Sequence, residues 1–425
     1  FIFLRGKTMK RKFYLVLAFA MILFLLGFIS TIFIDFQELM GNEKETYISQ
    51  DEETSGEIVV ESEGETIEEP IEEAKISNIK ILAVGDIMFH SPQYNAAFNK
   101  ETNEYDFTSV FKYVKKYIES VDLAIGNLET VIAGEEVGYS GYPRFNTPEA
   151  ALFAIKEAGF DILSTANNHS LDQGKAGLIN TIDNIHKYGM KNIGTYKEEN
   201  TILVEEINEI KIGFLSYTYG LNGMDYTLTE EELDYMVNLI DEDKIKSHIE
   251  DAKDMELDLI VVFIHWGNEY QREPSPYQME LGEKIIEWGA DIILGSHPHV
   301  VQKSQIINKD GKDKFIIYSM GNFLSNQRKE TIGNPYTEDG IMVQLEIEKD
   351  LADNNTIIKN IHYIPTWVHR YRDNGRLVYE ILPIADYING DIQLGDEDNL
   401  RERLEKSFHD TMKVMIENSS ISEFN

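Results

Sequence analysis

The sequence contains no cysteine, and it has barely half as many basic residues as acidic ones, 39 Lys and Arg against 74 Asp and Glu. The first absence excludes disulfides, thiolate zinc sites and cysteine nucleophiles, so any metal chemistry must use His, Asp, Glu and Asn. It leaves the compartment open. The shortage of Lys and Arg gives a formal net charge of −35. Sequence-independent binding to nucleic acid draws its affinity from basic side chains that release counterions, so nucleic acid is not expected as a partner. What is present is 425 residues with 42% hydrophobic and 11% aromatic content, enough for one large core plus appendages.

Phe13 to Ile34 is an uncharged apolar run of 22 residues, long enough to cross about 30 Å of hydrocarbon as a helix. Lys7, Lys10, Arg11 and Lys12 precede it and Asp35 and Glu38 follow, which orients the N-terminus inward and the remainder outward. No small-residue cleavage site follows, so an uncleaved signal-anchor is expected rather than a signal peptide. Met9-Lys10-Arg11-Lys12 reads as the natural opening of such an anchor, with the eight residues before it as read-through. The expected organisation is a cytoplasmic tail over 1–12, a transmembrane helix over 13–34, an acidic linker over 35–77 and an extracellular domain over 78–425. Residues 35–73 carry fifteen acids against one base, Lys44; such a segment self-repels and buries too little apolar surface to fold.

From Asn78 onward, short β-branched runs alternate with amphipathic stretches, the mark of an α/β domain. Expected strands are Ile79 to Asp86, Asp122 to Glu129, Asp161 to Asn167, Asp258 to Gly267, Asp291 to His299 and Lys314 to Phe323. Helical spacing falls over Phe107 to Glu119, Pro148 to Ala158, Lys175 to Tyr188, Glu230 to Asp254 and Pro276 to Trp288. Antiparallel or edge strands are expected over Gly340 to Glu348, Ile357 to Pro365 and Arg376 to Pro383, with a closing helix from Asn399 to Asn418.

In such sheets the ligand crevice lies beyond the carboxyl ends of the strands. Those ends carry Asp86 and His90 (GDIMFH), Asn127 and Glu129 (GNLET), Asn168, His169 and Asp172 (NNHSLDQG), His265 and Glu269 (IHWGNEY), and His297 and His299 (GSHPHV). One strand-end histidine is more often structural than a ligand; five of the ten histidines recurring at successive strand ends shift the balance toward a metal site. Imidazole and carboxylate suit Mn²⁺, Fe²⁺ or Zn²⁺, and a bridging carboxylate lets two ions sit about 4 Å apart. On an extended backbone His297 and His299, two apart, are expected to face the same crevice, with Pro298 stiffening the turn.

GDIMFH, GNLET, NNHSLDQG, HWGNEY, GSHPHVVQ and YSMGNF, in this order over about 79–327, resemble the CapA family, also called the capsule synthesis or PgsA-like family, within the calcineurin-like metallophosphoesterase superfamily. That resemblance implies a metallophosphatase-like β-sandwich flanked by helices, four layers in αββα order, with two divalent ions. By position it places Asp86 and His299 on one ion, Asn168, His265 and His297 on the other, and Glu129 between them. His169 would protonate the leaving oxygen or stabilise the transition state, with Asp172 orienting it or joining the metal shell. Two departures bear on activity: Met88 stands where the family's first motif usually has a histidine, His90 being two residues further on, and the Asn127 to Glu129 segment replaces the usual bridging Asp. One ion site is therefore expected to be weak, altered or empty.

Around this set, Trp266, Glu269, Tyr270, Asn322 and Arg144 are candidate substrate contacts, weighed against packing, turn formation and pairing with the protein's own carboxylates. The resemblance implies a role in capsule or poly-γ-glutamate synthesis. The expected activity is a metal-dependent hydrolase of phosphoesterase type acting outside the membrane on a phosphoester or an anionic envelope polymer. The alternative is a non-catalytic assembly or export subunit working with the polymer synthase. Long-range repulsion between this acidic domain and a polyanion favours local contact over a broad polymer-binding surface.

Overall fold

In the computed structural model, residues 75–394 and 399–418 are described. The expected tail, the membrane span and all but the last three residues of the acidic linker lie outside them. Among the described residues no helix is long and apolar enough to cross a membrane. The linker boundary is corrected: Ile76 and Ser77 already pair with Asp350 and Lys349, because the strand that begins the domain spans Ile76–Ile87.

Two sheets make the core. The first runs, edge to edge, Arg376–Pro383, Asn355–Asp373, Asp339–Asp350, Ile76–Ile87, Leu123–Leu128, Ile162–Ser164 and Lys191–Ile193, with Asn322–Leu324 pairing beside the end of Ile76–Ile87. The second runs Ser304–Lys309, Lys312–Ile317, Ile292–Ser296, Leu259–His265, Ile210–Thr218 and Leu203–Ile207. The strands from Ile76–Ile87 to Lys191–Ile193, and those from Lys312–Ile317 to Ile210–Thr218, are parallel; the flanking pairs are antiparallel.

Four parallel strands begin directly after an aspartate, and the sequence itself explains why. The carboxylates of Asp122, Asp161, Asp258 and Asp291 accept the backbone N–H of Lys80, Ala124, Lys211 and Ile260 on the neighbouring strand, at 2.7–3.0 Å. Each pins the amino end of its strand, so the carboxyl ends emerge together on the opposite side. Along Ile76–Ile87 the pleat alternates: Ile81 and Ala83 face the second sheet, while Leu82 and Val84 face outward. Ile125, Phe214, Phe263 and Leu294 fill the space between the sheets. Helices Ala150–Ala158 and Gly174–Lys187 cover the outside of the first sheet through Ala151, Leu152, Ile155 and Ile185. Helices Glu242–Asp254 and Pro276–Trp288 cover the second through Ile245, Ile249, Leu281 and Ile285. The layering is αββα, and strands buried on both faces explain the near-continuous apolar runs.

Three sequence expectations change. Lys314 to Phe323 is not one strand: Lys312–Ile317 lies in the second sheet and Asn322–Leu324 in the first, so this stretch crosses between the sheets. Glu230 to Asp254 breaks into helices Glu230–Met236 and Glu242–Asp254, with Asp241 capping the second by accepting the Lys244 N–H at 2.9 Å. Phe107 to Glu119 shortens to a 3₁₀ turn at Thr108–Phe111 and one helical turn at Lys115–Ile118. The hairpin Leu203–Ile207 and Ile210–Thr218 was not foreseen.

Asp339 opens the strand Asp339–Asp350 and accepts the Ser407 hydroxyl from the closing helix at 2.6 Å. Burial pushes its carboxyl up to about 7, against the Ser407 hydrogen bond; Glu338 and Asp410 push the same way as burial and Arg272 opposes them. A pKa raised above the unfolded value means the folded state holds the proton through roughly pH 4 to 7, so stability falls as pH rises through that window. Asp339→Asn keeps an acceptor for Ser407. It is expected to raise the melting temperature at pH 8 by several degrees, corresponding to at most about 4 kcal/mol, and to change little at pH 4. Equal shifts at both pH values would remove the titration argument.

Candidate metal centre

At the carboxyl ends of the strands, Asp86 sits opposite Asn127 and Asn322 on its two neighbours in the first sheet. In the second sheet, Thr218, His265 and Ser296 lie in one row. The two sheets therefore deliver their polar ends to a single cleft. Glu129, whose N–H donates to the Ile87 carbonyl at 3.1 Å, stands between them, fully buried.

Two groups of buried donors form there, Glu129 with His297 and His299, and Asp86 with Glu129 and His265; within each, the donor atoms lie within 4.8 Å of one another. Glu129 belongs to both. Its Oε1 is buried without a hydrogen-bond partner, and so is the Nδ1 of His297. The Nε2 atoms of His265 and His299 stand 3.7 and 3.8 Å from that Oε1. These distances are too long for hydrogen bonds. They match the roughly 3 to 4 Å separating two donors that each lie about 2.1 Å from one ion. A buried carboxylate oxygen left bare costs free energy unless a cation completes it.

The surrounding contacts decide which imidazole nitrogens stay open. His299 Nδ1 lies 3.0 Å from Asp86 Oδ2 and 3.1 Å from Asn322 Oδ1. It therefore donates its proton there and leaves Nε2 as a lone pair facing Glu129. His265 Nδ1 lies 2.9 Å from Ser296 Oγ, and its Nε2 lies 2.9 Å from Asn168 Oδ1. Asn127 donates to Asp86 at 2.8 Å and accepts from Asn167 at 3.2 Å, holding the floor of the cleft. Burial, then the neighbouring His299, lowers the His297 pKa to about 3, and burial with the neighbouring imidazoles pulls His265 well below its usual range. Both are neutral at pH 7, the form that binds metal. Burial and then Asp86 push the Glu129 carboxyl upward.

Beside the ligand groups, His169 Nδ1 is 2.7 Å from Asp172 Oδ2, and that same oxygen accepts the Phe145 N–H at 2.7 Å. Asp172 therefore orients His169 and lies outside both donor groups. The Phe145 and His169 rings pack perpendicular to each other with centroids 4.8 Å apart.

The geometry revises several sequence expectations. Asp86 and His299, expected to share an ion, lie in direct contact at 3.0 Å, while the two three-donor groups set Asp86 with His265 and His299 with His297. Asn168, expected on the same ion as His265, has its Oδ1 2.9 Å from His265 Nε2. The His-Pro-His unit is not extended: His297 and His299 have φ of 96° and 57°, and this left-handed turn, rather than a pleat, brings their rings to 5.9 Å. His90 does not replace the missing histidine, since its Nδ1 meets the Asn326 N–H at 3.3 Å and it lies outside both groups. Met88 is buried against Ser325.

Trp266 cannot stack on a substrate, because it is fully buried under the helix Pro276–Trp288 and its indole N–H donates to the Tyr318 carbonyl at 2.9 Å. The Asn322 amide is consumed by His299, Gln327 and Thr337 and supports the centre from below. Arg144 is exposed, with its Nε donating to the Asp172 carbonyl at 2.7 Å rather than to a carboxylate. Glu269 is exposed at the rim, and Tyr270 is half-buried with its ring 6.1 Å from His299. Tyr219, Asn167, Ser296 and Phe145 were not anticipated; the β-rich run IKIGFLSYT leading to Tyr219 was the available signal.

Comparison with known proteins follows the same line. The sequence profile of the bacterial capsule synthesis protein PGA_cap family matches residues 80–327. The chain is 30% identical to the capsule biosynthesis protein CapA of Bacillus anthracis over 302 residues, 69% of this chain and 68% of that protein. It is 27% identical to the PGA biosynthesis protein CapA of Bacillus subtilis (strain 168), over 63% of this chain and 67% of that one. Among solved structures, the calcineurin-like phosphoesterase YfkN from Bacillus subtilis is 16% identical, the match covers 80% of this chain and 98% of that one, and the TM-score is 0.41.

Proposed function

The chain belongs to the bacterial capsule synthesis protein PGA_cap family, and from that premise we propose that it is a metal-dependent hydrolase of phosphoesterase type serving capsular polymer synthesis. The observation that carries this reading is the buried, unpartnered Oε1 of Glu129 shared by two three-donor groups. Glu129, His297 and His299 would hold one divalent ion and Asp86, Glu129 and His265 a second, with Asn168 in reach through His265. The donor set, imidazole and carboxylate without thiolate, fits Mn²⁺, Fe²⁺ or Zn²⁺. Bound there, such ions supply Lewis acidity, lowering the pKa of water and neutralising phosphoryl charge.

The chain's own residues would supply the rest. Asp172 holds the Nδ1 of His169, so its Nε2 is the atom that exchanges a proton with the leaving oxygen. Arg144, anchored through Nε, keeps its terminal guanidinium nitrogens for an anionic group of the substrate. The run Phe13 to Ile34, with basic residues before it and acids after, supports a single-pass anchor with this domain outside the membrane, next to the synthase subunits that make the polymer.

The test uses the full chain in detergent, loaded with Mn²⁺. Two ions per chain and turnover of bis-p-nitrophenyl phosphate are expected. His169→Gln is expected to keep both ions and lose about 10²-fold in turnover. A protein that takes up no metal sinks the reading. Bound metal without turnover, together with full capsule restoration by His297→Ala, would transfer the case to a non-catalytic assembly subunit.

A further inference from the structure

Tyr219 follows the unforeseen strand Ile210–Thr218, and its N–H donates to the His265 carbonyl at 3.0 Å, which ties this loop to the strand bearing a candidate ligand. Its ring lies 4.4 Å from that of His297 and, nearly parallel, 6.2 Å from that of His265. Those imidazoles are 2% and 0% exposed, whereas Tyr219 is 46% exposed. The phenol ring is therefore the layer between the proposed centre and solvent, the position a substrate must pass.

The hydroxyl is the informative atom. Asn168, whose amide donates to Asn222 at 3.3 Å, lies beside the Tyr219 hydroxyl. Among the described residues no acceptor takes the Tyr219 O–H. A partly exposed phenol that lies over these imidazoles with its proton uncommitted is a donor available to a ligand in the cleft. Tyr270 offers no equivalent, because its hydroxyl accepts from the Gln327 amide at 3.5 Å and the neighbouring Glu269 carboxylate disfavours an anion there.

We propose that Tyr219 is a substrate-contacting residue of this site, donating its phenol proton in a hydrogen bond to a non-bridging oxygen of a tetrahedral oxyanion, a phosphoryl group. The inference rests on the metal-hydrolase reading. A hydrogen bond to a charged oxygen contributes roughly 10- to 100-fold in affinity. Tyr219→Phe removes it while keeping the ring over the imidazoles.

Mn²⁺-loaded full chain is titrated with inorganic phosphate by calorimetry, and kcat/KM is measured with bis-p-nitrophenyl phosphate. Tyr219→Phe is expected to retain the wild-type metal content, to weaken phosphate binding by about 10- to 100-fold and to lower kcat/KM by a similar factor. Phosphate affinity within twofold of wild type overturns the inference and leaves the metal reading standing. Loss seen in Tyr219→Ala but not in Tyr219→Phe overturns it too, since the ring rather than the hydroxyl would then matter. Wild-type protein that binds metal and phosphate without turnover defeats the hydrolase reading while the phosphate titration still judges Tyr219. Protein that binds neither ends both.

Discussion

Glu129→Gln is expected to empty the centre, reducing bound metal to one weakly held ion or none and lowering turnover on the order of 10³-fold. The reason is that both donor groups pass through this one carboxylate. An amide keeps the shape and loses the charge, so each ion would lose the shared anionic donor and the two would face each other unshielded. The fall in affinity should exceed the roughly 10- to 100-fold that follows loss of a supporting hydrogen bond. Stability separates this effect from simple damage. In metal-free protein, burial and Asp86 push the Glu129 carboxyl upward. The folded state thus binds its proton more tightly than the unfolded chain, and stability falls as pH rises above the ordinary carboxylate range. Metal-free Glu129→Gln should therefore melt above metal-free wild type at pH 8 and near it at pH 4, while gaining nothing from added Mn²⁺. Metal analysis with melting curves in chelator and in Mn²⁺ checks both halves; a variant that still carries two ions refutes the sharing.

How much of this was legible in the sequence depended on whether a signal was local. The strands opening at Asp122, Asp161, Asp258 and Asp291 were readable because an acid before an apolar run pins the neighbouring strand, a contact repeated four times. The clustering of His265, His297 and His299 with Glu129 followed from the rule that parallel strands present their carboxyl ends on one side. What stayed hidden was non-local. No pattern in YSMGNF announces that the chain leaves one sheet at Ile317 and joins the other at Asn322. Nor does His-Pro-His reveal a left-handed turn. Among the described residues, twelve non-glycine residues have positive φ; nine are Asn, Asp or Glu, and the other three are Tyr270, His297 and His299. Such conformations are costly in bulky residues and tend to gather at functional sites. Tyr219 was missed because its strand ends in no ligand-type residue, and its value comes from the neighbours that the second sheet gives it.

Gly85→Ala is expected to be strongly destabilising and to disrupt the metal centre. A Cβ at Gly85 would lie 2.0 Å from the Gly321 carbonyl oxygen and 3.1 Å from the Gly321 and Met320 carbonyl carbons, all backbone atoms. Neither side can yield cheaply. The adjacent Asp86 N–H donates to that same Gly321 oxygen at 3.0 Å, the Met320 N–H donates to Gly295 at 3.0 Å, and Gly321 bridges Gly340. This crossing segment links the two sheets, so pushing it away from Ile76–Ile87 separates Asp86 from Asn322, its register partner, and loosens the support under His299. Overpacking against fixed backbone places the cost at several kcal/mol, a fall of ten degrees or more in melting temperature. Metal binding should fail in whatever fraction folds. Gly220→Ala is the control: a Cβ there meets nothing within 4 Å, and its melting temperature should stay within about two degrees of wild type. Circular dichroism melts and metal content measure both variants. If Gly85→Ala kept the wild-type melting temperature and metal content, the joint between the sheets would be softer than these contacts require, and the centre would not depend on it.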